Sequence, residues 1–266
     1  MRVRAFVAIP AYNEAGRLRR LMDELAGYLK SGAPEAAGLE VHFCIVDDGS
    51  LRGQFEAVEQ LVRGYGFGDE VRLVRLDRNH GKGGAIRAGL DIGLAEGFDY
   101  LGFIDADSAV PVRELHRALV YLAAAHREAG VVGVIGSRVR MLGRSVVRTP
   151  LRHYSGRVFA TFVSLWFDQA VYDTQCGLKV FERETLRRHL DAPDDFRWVW
   201  DTQLLLAMLH AKELIHEVPV DWQETGASKV SLVRHPLAMI WSLIRFRRRL
   251  RVRGAPHRSS EVGYWI

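Results

Sequence analysis

Five short apolar runs, at residues 3–9, 41–46, 71–76, 100–104 and 131–135, recur through the first half of the chain with amphipathic stretches between them. This alternation constrains the fold most strongly, because strands that are apolar along their whole length need cover on both faces of a sheet. The stretches at 14–30, 54–65, 85–96 and 112–129 carry helical spacing; in the first, Leu18, Leu21, Met22, Leu25 and Leu29 share one face. Strands and helices in strict alternation predict an α/β architecture, a mostly parallel central sheet with helices on both faces. With 266 residues, 48% of them hydrophobic, the chain can fill the core of one large domain.

Ligands of such sheets bind beyond the carboxyl ends of the strands, so the residues that follow each run carry the functional information. The first run leads into Pro10-Ala11-Tyr12-Asn13-Glu14, where Asn13 is placed to cap a helix and Tyr12 offers a ring to stack on a base. The second leads into Asp47-Asp48-Gly49-Ser50, which reads as a plain turn or as a place where Asp47 accepts a hydrogen bond from a base or ribose. The third leads into Asn79-His80-Gly81-Lys82-Gly83-Gly84, a flexible helix start or a turn whose amides and Lys82 face a phosphate. It is not a Walker loop, since no Ser or Thr follows Lys82, nor a dinucleotide fingerprint, since Ile86 stands where the last glycine belongs.

The fourth run stops at Asp105-Ala106-Asp107. If the segment stays extended, the two carboxylates point the same way, and paired oxygens suit Mg²⁺ or Mn²⁺ rather than zinc. Water and a diphosphate would complete the coordination. The plainer alternative is a solvated turn in which Asp105 caps the next helix.

Net charge is +5, but it is unevenly spread: six arginines and no acid lie between Arg138 and Arg157, and six more between Arg245 and Arg253. Without those twelve, 25 basic residues face 32 acidic ones. The basicity is therefore local, and it suits an anionic membrane surface or a nucleic acid. The chain carries no recognised DNA- or RNA-binding motif, so a nucleic-acid module is the weaker reading. The flanking apolar stretches, 154–172 and 237–250, read as amphipathic helices that lie in a headgroup plane or pack on the core. No charge-free run reaches the length that spans a bilayer and no signal peptide is visible, so the expected attachment is peripheral. Cys44 and Cys176 sit in or beside apolar runs far apart, which argues against a disulfide and for a reducing compartment.

Taken together, the four strand-end clusters resemble family 2 glycosyltransferases of the GT-A fold, in order and in spacing. Further on, Asp173-Thr174-Gln175-Cys176-Gly177-Leu178-Lys179, Arg197-Trp198-Val199-Trp200-Asp201, Glu217-Val218-Pro219-Val220-Asp221-Trp222 and Gly226-Ala227-Ser228-Lys229 are similar to the members that glucosylate dolichyl-type phosphates. The similarity runs from about residue 3 to residue 249.

The resemblance implies inverting transfer of a hexose, with UDP-glucose the favoured donor, to a polyprenyl phosphate at the cytoplasmic face of a membrane. It places Pro10, Tyr12, Glu14, Asp47, Lys82, Gly83, Asp105, Ala106 and Asp107 at the nucleotide sugar, with Asp105 and Asp107 on the metal ion. It places Arg138, Gln175, Cys176, Gly177, Lys179, Trp200, Ser228 and Lys229 at the acceptor, and gives Asp201, Asp107 and Lys229 catalytic roles. Residues 1–235 would form the GT-A domain, divided into a donor half to 137 and an acceptor half, with 236–266 a basic amphipathic helix and tail. The reading leaves room for a homo-oligomer. A GDP-mannose-dependent transferase and a soluble enzyme with a hydroxyl acceptor and Asp201 as base are the alternatives.

Three departures from the family pattern matter. The N-terminal membrane helix usual in the dolichyl-phosphate group is not seen, Gln203 replaces a glutamate, and Ala109 stands near where the mannosyl enzymes place a third metal ligand.

Overall fold

Each of the five apolar runs forms a strand: β1 (Val3–Ala11), β2 (Leu39–Asp47), β3 (Val71–Arg75), β4 (Tyr100–Ile104) and β5 (Gly133–Ser137). The computed structural model describes residues 2–147, 149–224 and 234–252. Between the strands lie α1 (Ala15–Lys30), the single turn α2 (Ala33–Ala36), α3 (Arg52–Tyr65), α4 (Lys82–Ala95) and α5 (Val112–Ala129). The second half contributes β6 (Val146–Val147), α6 (Pro150–Phe167), β7 (Leu178–Glu182), α7 (Arg183–His189), α8 (Trp200–His210), β8 (Ile215–Pro219), β9 (Trp222–Gln223) and α9 (Arg234–Val252).

Seven strands make one sheet in the order β3-β2-β1-β4-β7-β5-β8. All run parallel except β7, which lies antiparallel between β4 and β5. The carboxyl ends of β1, β2, β4 and β5 therefore share one edge. β7 has no counterpart among the expected strands, because the motif around Lys179 holds a charge at a position that proves to be buried. β6 and β9 form a separate parallel ribbon against the turn after β4, with the amide of Gln223 donating to the carbonyl of Ala109 at 2.9 Å.

Strand alternation divides the core in two. Ala5, Val7 and Ile9 of β1 pack with Leu18, Leu21 and Leu25 of α1 and with Leu115 and Leu119 of α5 on one face. Phe6 and Ala8 pack with Ile86 and Leu90 of α4 and with Leu204 and Leu205 of α8 on the other. A third cluster joins Val163 of α6, Val199 and Leu206 at α8, and Leu243 and Phe246 of α9. Both basic helices thus pack on the body of the fold along one side. α6 ends earlier than the sequence suggests, because Asp168 turns left-handed (φ 54°), a conformation that a short polar side chain tolerates.

Candidate active site

Three loops at the shared strand edge are fastened to one another. Asn13 is left-handed (φ 52°) and does not cap α1; its carboxamide oxygen accepts the amide of Leu51 at 3.0 Å, while its own amide donates to Ser50 Oγ at 2.8 Å. Asp47 is fully buried: Oδ1 accepts the amide of Ser50 at 3.0 Å and Oδ2 has no partner among the described residues. Asp48 reaches the third loop, accepting the amides of His80 at 2.7 Å and Gly81 at 2.9 Å. Burial raises its pKa against those hydrogen bonds.

The turn that Asp48 holds delivers Lys82, whose Nζ lies 2.7 Å from Asp105 Oδ1. Burial presses the lysine pKa down, but Asp105, Asp201 and Asp107 together outweigh it, so the net shift is upward and Nζ stays charged. β4 stops at Ile104 and the chain turns at Ala106 and Asp107, so the two carboxylates are not set by strand alternation as an extended segment would set them; both are half-buried, and Ala106 between them is buried. Burial and the neighbouring Asp105 raise the pKa of Asp107, whose Oδ1 accepts the amide of Ala109 at 2.9 Å. Gly177 backs this pair: its carbonyl accepts the Asp105 amide at 3.0 Å, and a Cβ there would stand 2.2 Å from Asp105 Oδ2.

Several expected contacts differ in the structure. The amides of Gly83 and Gly84 do not face a phosphate, for they donate to the carbonyls of Arg197 at 3.2 Å and Phe196 at 3.0 Å. A Cβ on Gly83 would meet Trp200 Cβ at 2.2 Å, so this glycine serves close packing rather than anion binding. Trp200 itself is fully buried in the core rather than lining an acceptor cleft. Cys176 is likewise buried, its thiol pushed up to about 12 by desolvation. Lys179 is also sealed from solvent, donating to Asp201 Oδ2 at 2.7 Å and to the Cys176 carbonyl at 2.8 Å.

Arg138 is held in a fork by Asp173, with Nε to Oδ2 at 2.6 Å and Nη2 to Oδ1 at 2.7 Å. Gln175 is half-buried; it gives its carboxamide N–H to Thr202 and its amide to Asp173. An acceptor meeting any of these groups would first have to displace a charged or buried partner. Ser228 and Lys229 lie outside the described residues. Tyr12 is 38% exposed at the carboxyl end of β1, in reach of a ligand. The salt bridge of Glu14 to Arg17 spans 3.6 Å at the start of α1.

No cage of three or more metal-binding side chains exists among the described residues. The two carboxylates nevertheless fit a hard divalent ion: Lys82 is the cation paired with them, and burial first, then the neighbouring Asp105, raises the pKa of Asp107, a charge that an added cation would relieve. Such an ion would take its other ligands from water and a diphosphate.

Residues 6–190, most of the sheet and the whole Asp105 site, match the family model described as glycosyl transferase family 2. The chain belongs to that family. This glycosyltransferase is 33% identical over 229 residues to a dolichyl-phosphate beta-glucosyltransferase of Trichomonas vaginalis, an alignment covering 84% of this chain and 65% of that one. It is also 33% identical over 252 residues to a dolichyl-phosphate beta-glucosyltransferase of Drosophila melanogaster, covering 88% and 73%. It thus spans about two thirds to three quarters of the length of these relatives. Among solved structures it is similar to glucosyl-3-phosphoglycerate synthase of Mycobacterium tuberculosis, crystallised with Mn²⁺, UDP and glucosyl-3-phosphoglycerate. The TM-score is 0.66 at 18% identity, over 92% of this chain and 80% of that one, a likeness of fold.

Proposed function

We propose that this glycosyltransferase moves a hexose, with UDP-glucose the favoured donor, onto the phosphate of a polyprenyl phosphate. The observation that carries the reading is the pairing of Asp201 with Lys179 at 2.7 Å. A hydroxyl acceptor must lose its proton during attack and needs a base within about 3 Å. Asp201 is the carboxylate the family pattern offers for that task, and here one oxygen is taken by the ammonium and the other by the Thr202 amide at 2.9 Å. A phosphate monoester has its second pKa near about 6 and attacks as an oxyanion at pH 7.

In this reaction an oxygen of the acceptor phosphate forms a bond to the anomeric carbon from the face opposite the diphosphate. The bond from that carbon to the leaving diphosphate breaks, and configuration inverts. No proton moves. Lys82 meets the charge that develops on the leaving group, where a fixed cation is worth most. Mg²⁺ or Mn²⁺, held by Asp105 and Asp107, would supply further neutralisation of that diphosphate. In this reading the exposed ring of Tyr12 stacks on the base, and Asp47 Oδ2, buried and without a partner among the described residues, accepts from the nucleoside once a bound ligand opens access to it. The names of the relatives, which act on dolichyl phosphate, support this acceptor.

Peripheral binding to the cytoplasmic face of an anionic membrane belongs to the same proposal. Val158, Leu165 and Trp166 of α6 and Trp241 of α9 are exposed, and Arg245 and Arg248 share the exposed face of α9 with Trp241. Arg247 of α9 stacks 4.8 Å over the Trp166 ring and joins the two helices. No helix among the described residues is long and apolar enough to cross a membrane. Other arginines of the two basic segments have structural partners: Arg138 with Asp173, Arg144 with Glu114, Arg249 with Asp194.

The test is a panel of UDP- and GDP-sugars assayed with polyprenyl phosphate and with the free polyprenol. Product from UDP-glucose with the phosphate alone, and partial activity in Asp201→Asn, are expected. Efficient transfer to the alcohol, abolished by Asp201→Asn, would overturn the reading.

A further inference from the structure

Gln203 stands on α8 two residues beyond Asp201, fully buried, with every polar atom of its side chain engaged. Oε1 accepts the amides of Asp194 at 2.8 Å and Asp195 at 3.1 Å. Nε2 donates to Asp194 Oδ1 at 2.9 Å and to Ser242 Oγ of α9 at 3.1 Å. From α9, Arg249 adds bonds to Asp194 Oδ2 and to the carbonyl of Ala192, each at 2.8 Å. The loop between α7 and α8 is therefore fastened to α9 by Gln203 and Arg249, with Arg245 Nε a further 3.7 Å from Asp194 Oδ2, and only a carboxamide serves both the loop amides and the carboxylate. A glutamate in its place would bring a second carboxylate against Asp194.

The far end of the same loop holds the donor-site turn. Asp195 Oδ1 accepts the amide of Arg197 at 2.8 Å, and the carbonyls of Arg197 and Phe196 accept the amides of Gly83 and Gly84. Lys82 precedes Gly83 directly. An unbroken run of hydrogen bonds thus connects α9, through Gln203 and residues 192–197, to the backbone from which Lys82 reaches Asp105.

We propose that Gln203 is a positioning residue for the donor site, coupling the placement of α9 to the grip of Lys82 on the nucleotide diphosphate. The coupling rests on the reading that Lys82 meets that diphosphate. Whatever seats α9, an anionic surface included, then tightens donor binding, and loosening α9 weakens it. Among the described residues, the hydrogen bonds of Ser242 and Arg249 on α9 end on Gln203, Asp194 and Ala192 and not on Lys82 or Asp105, so their effect on the nucleotide passes through the loop.

The experiment measures UDP–Mn²⁺ affinity by calorimetry, and donor and acceptor KM, in Gln203→Glu, Arg249→Ala and Ser242→Ala, well below the melting temperature of each. Lys82→Ala is the reference. A weakening of UDP–Mn²⁺ binding of at least about five-fold in Gln203→Glu and Arg249→Ala, with donor KM raised and acceptor KM unchanged, is expected. Ser242→Ala, which removes only the α9 end of one bond, should move the same way by less. Variants that melt earlier yet bind UDP–Mn²⁺ as the parent does would reduce Gln203 to structural glue and overturn the coupling. Unchanged affinity in Lys82→Ala would instead sink the underlying placement of Lys82.

Discussion

Lys179 holds its ammonium 2.7 Å from the Asp201 carboxylate, with the lysine side chain fully withdrawn from solvent and the aspartate 8% exposed. An ion pair so deeply placed is costly to break on one side only, since the survivor keeps its charge without water or partner. Lys179→Met should destabilise the fold by about 3–5 kcal/mol, read by urea denaturation, while Lys179→Met combined with Asp201→Leu should recover much of the loss. A single variant within about 1 kcal/mol of the parent would show the pair to be ornamental.

A second buried pair gives a pH signature. Burial alone would raise the pKa of Asp173, but the Arg138 fork overrides it and holds the carboxyl down at about 2, against 3.8 for the free group. A folded-state pKa below the unfolded value means stabilisation present above pH 3.8 and lost as pH falls toward 2. The stabilisation amounts to about 2 kcal/mol by linkage. The stability gap between the parent and Asp173→Asn should stay level from pH 7 to pH 5 and shrink below pH 4. A gap that widens on acidification would refute the assignment.

Gly177 offers a way to disturb the metal site without touching a ligand. In Gly177→Ala the new methyl would lie 2.2 Å from Asp105 Oδ2, so the carboxylate has to move. Mn²⁺-dependent UDP binding should fall by about ten-fold or more, a penalty of the size seen for supporting residues of metal sites. Isothermal titration with and without Mn²⁺ measures it, and equal loss in both conditions would point to a general distortion.

Asp48 is predicted to matter through backbone alone. Asp48→Ala leaves the amides of His80 and Gly81 without their acceptor, at about 1–3 kcal/mol for each group that stays dry. The Lys82 turn should loosen, seen as faster amide exchange at residues 80–84 and a raised donor KM. Asp48→Asn, which keeps one accepting oxygen, should sit between the two.

The membrane prediction concerns surface residues only. Trp241→Ser with Leu165→Ser, both on exposed faces of α9 and α6, should abolish co-flotation with anionic vesicles at low salt. Neither change should alter UDP binding by the protein free in solution. Recovery of the double variant with the vesicles would move the attachment elsewhere.

How far the chain could be read in advance depended on whether a residue's role was local. The strand-end clusters were legible because a parallel sheet brings the residues that follow its strands to one edge, Asp47 and Asp105 among them, whereas the turn at Ala106 and Asp107 was not. Lys179 was open to a better reading: a lone lysine in an apolar strand signals a buried charge that needs an acid. Its partner, twenty-two residues on, could not be named from spacing. The same holds for Arg138 with Asp173 and for the Gly83 and Gly84 amides, whose partners arrive from segments distant in sequence. Asn13 failed as a helix cap because it bridges to Leu51 instead, a choice made by the fold and not by its neighbours. Gln203 stood out only as a departure from a pattern, and its network exists only once α9 is in place.

One consequence of the antiparallel β7 lies outside catalysis. Because that late strand is wedged between β4 and β5, a nascent chain leaving the ribosome carries an open seam in the middle of its sheet until residue 182 has emerged. The half that grips the donor cannot close ahead of the rest. Until then the bare edge of β4 is a template for any stray strand, so chaperone capture during synthesis, or aggregation of fragments that stop short of β7, is the fate written into this topology.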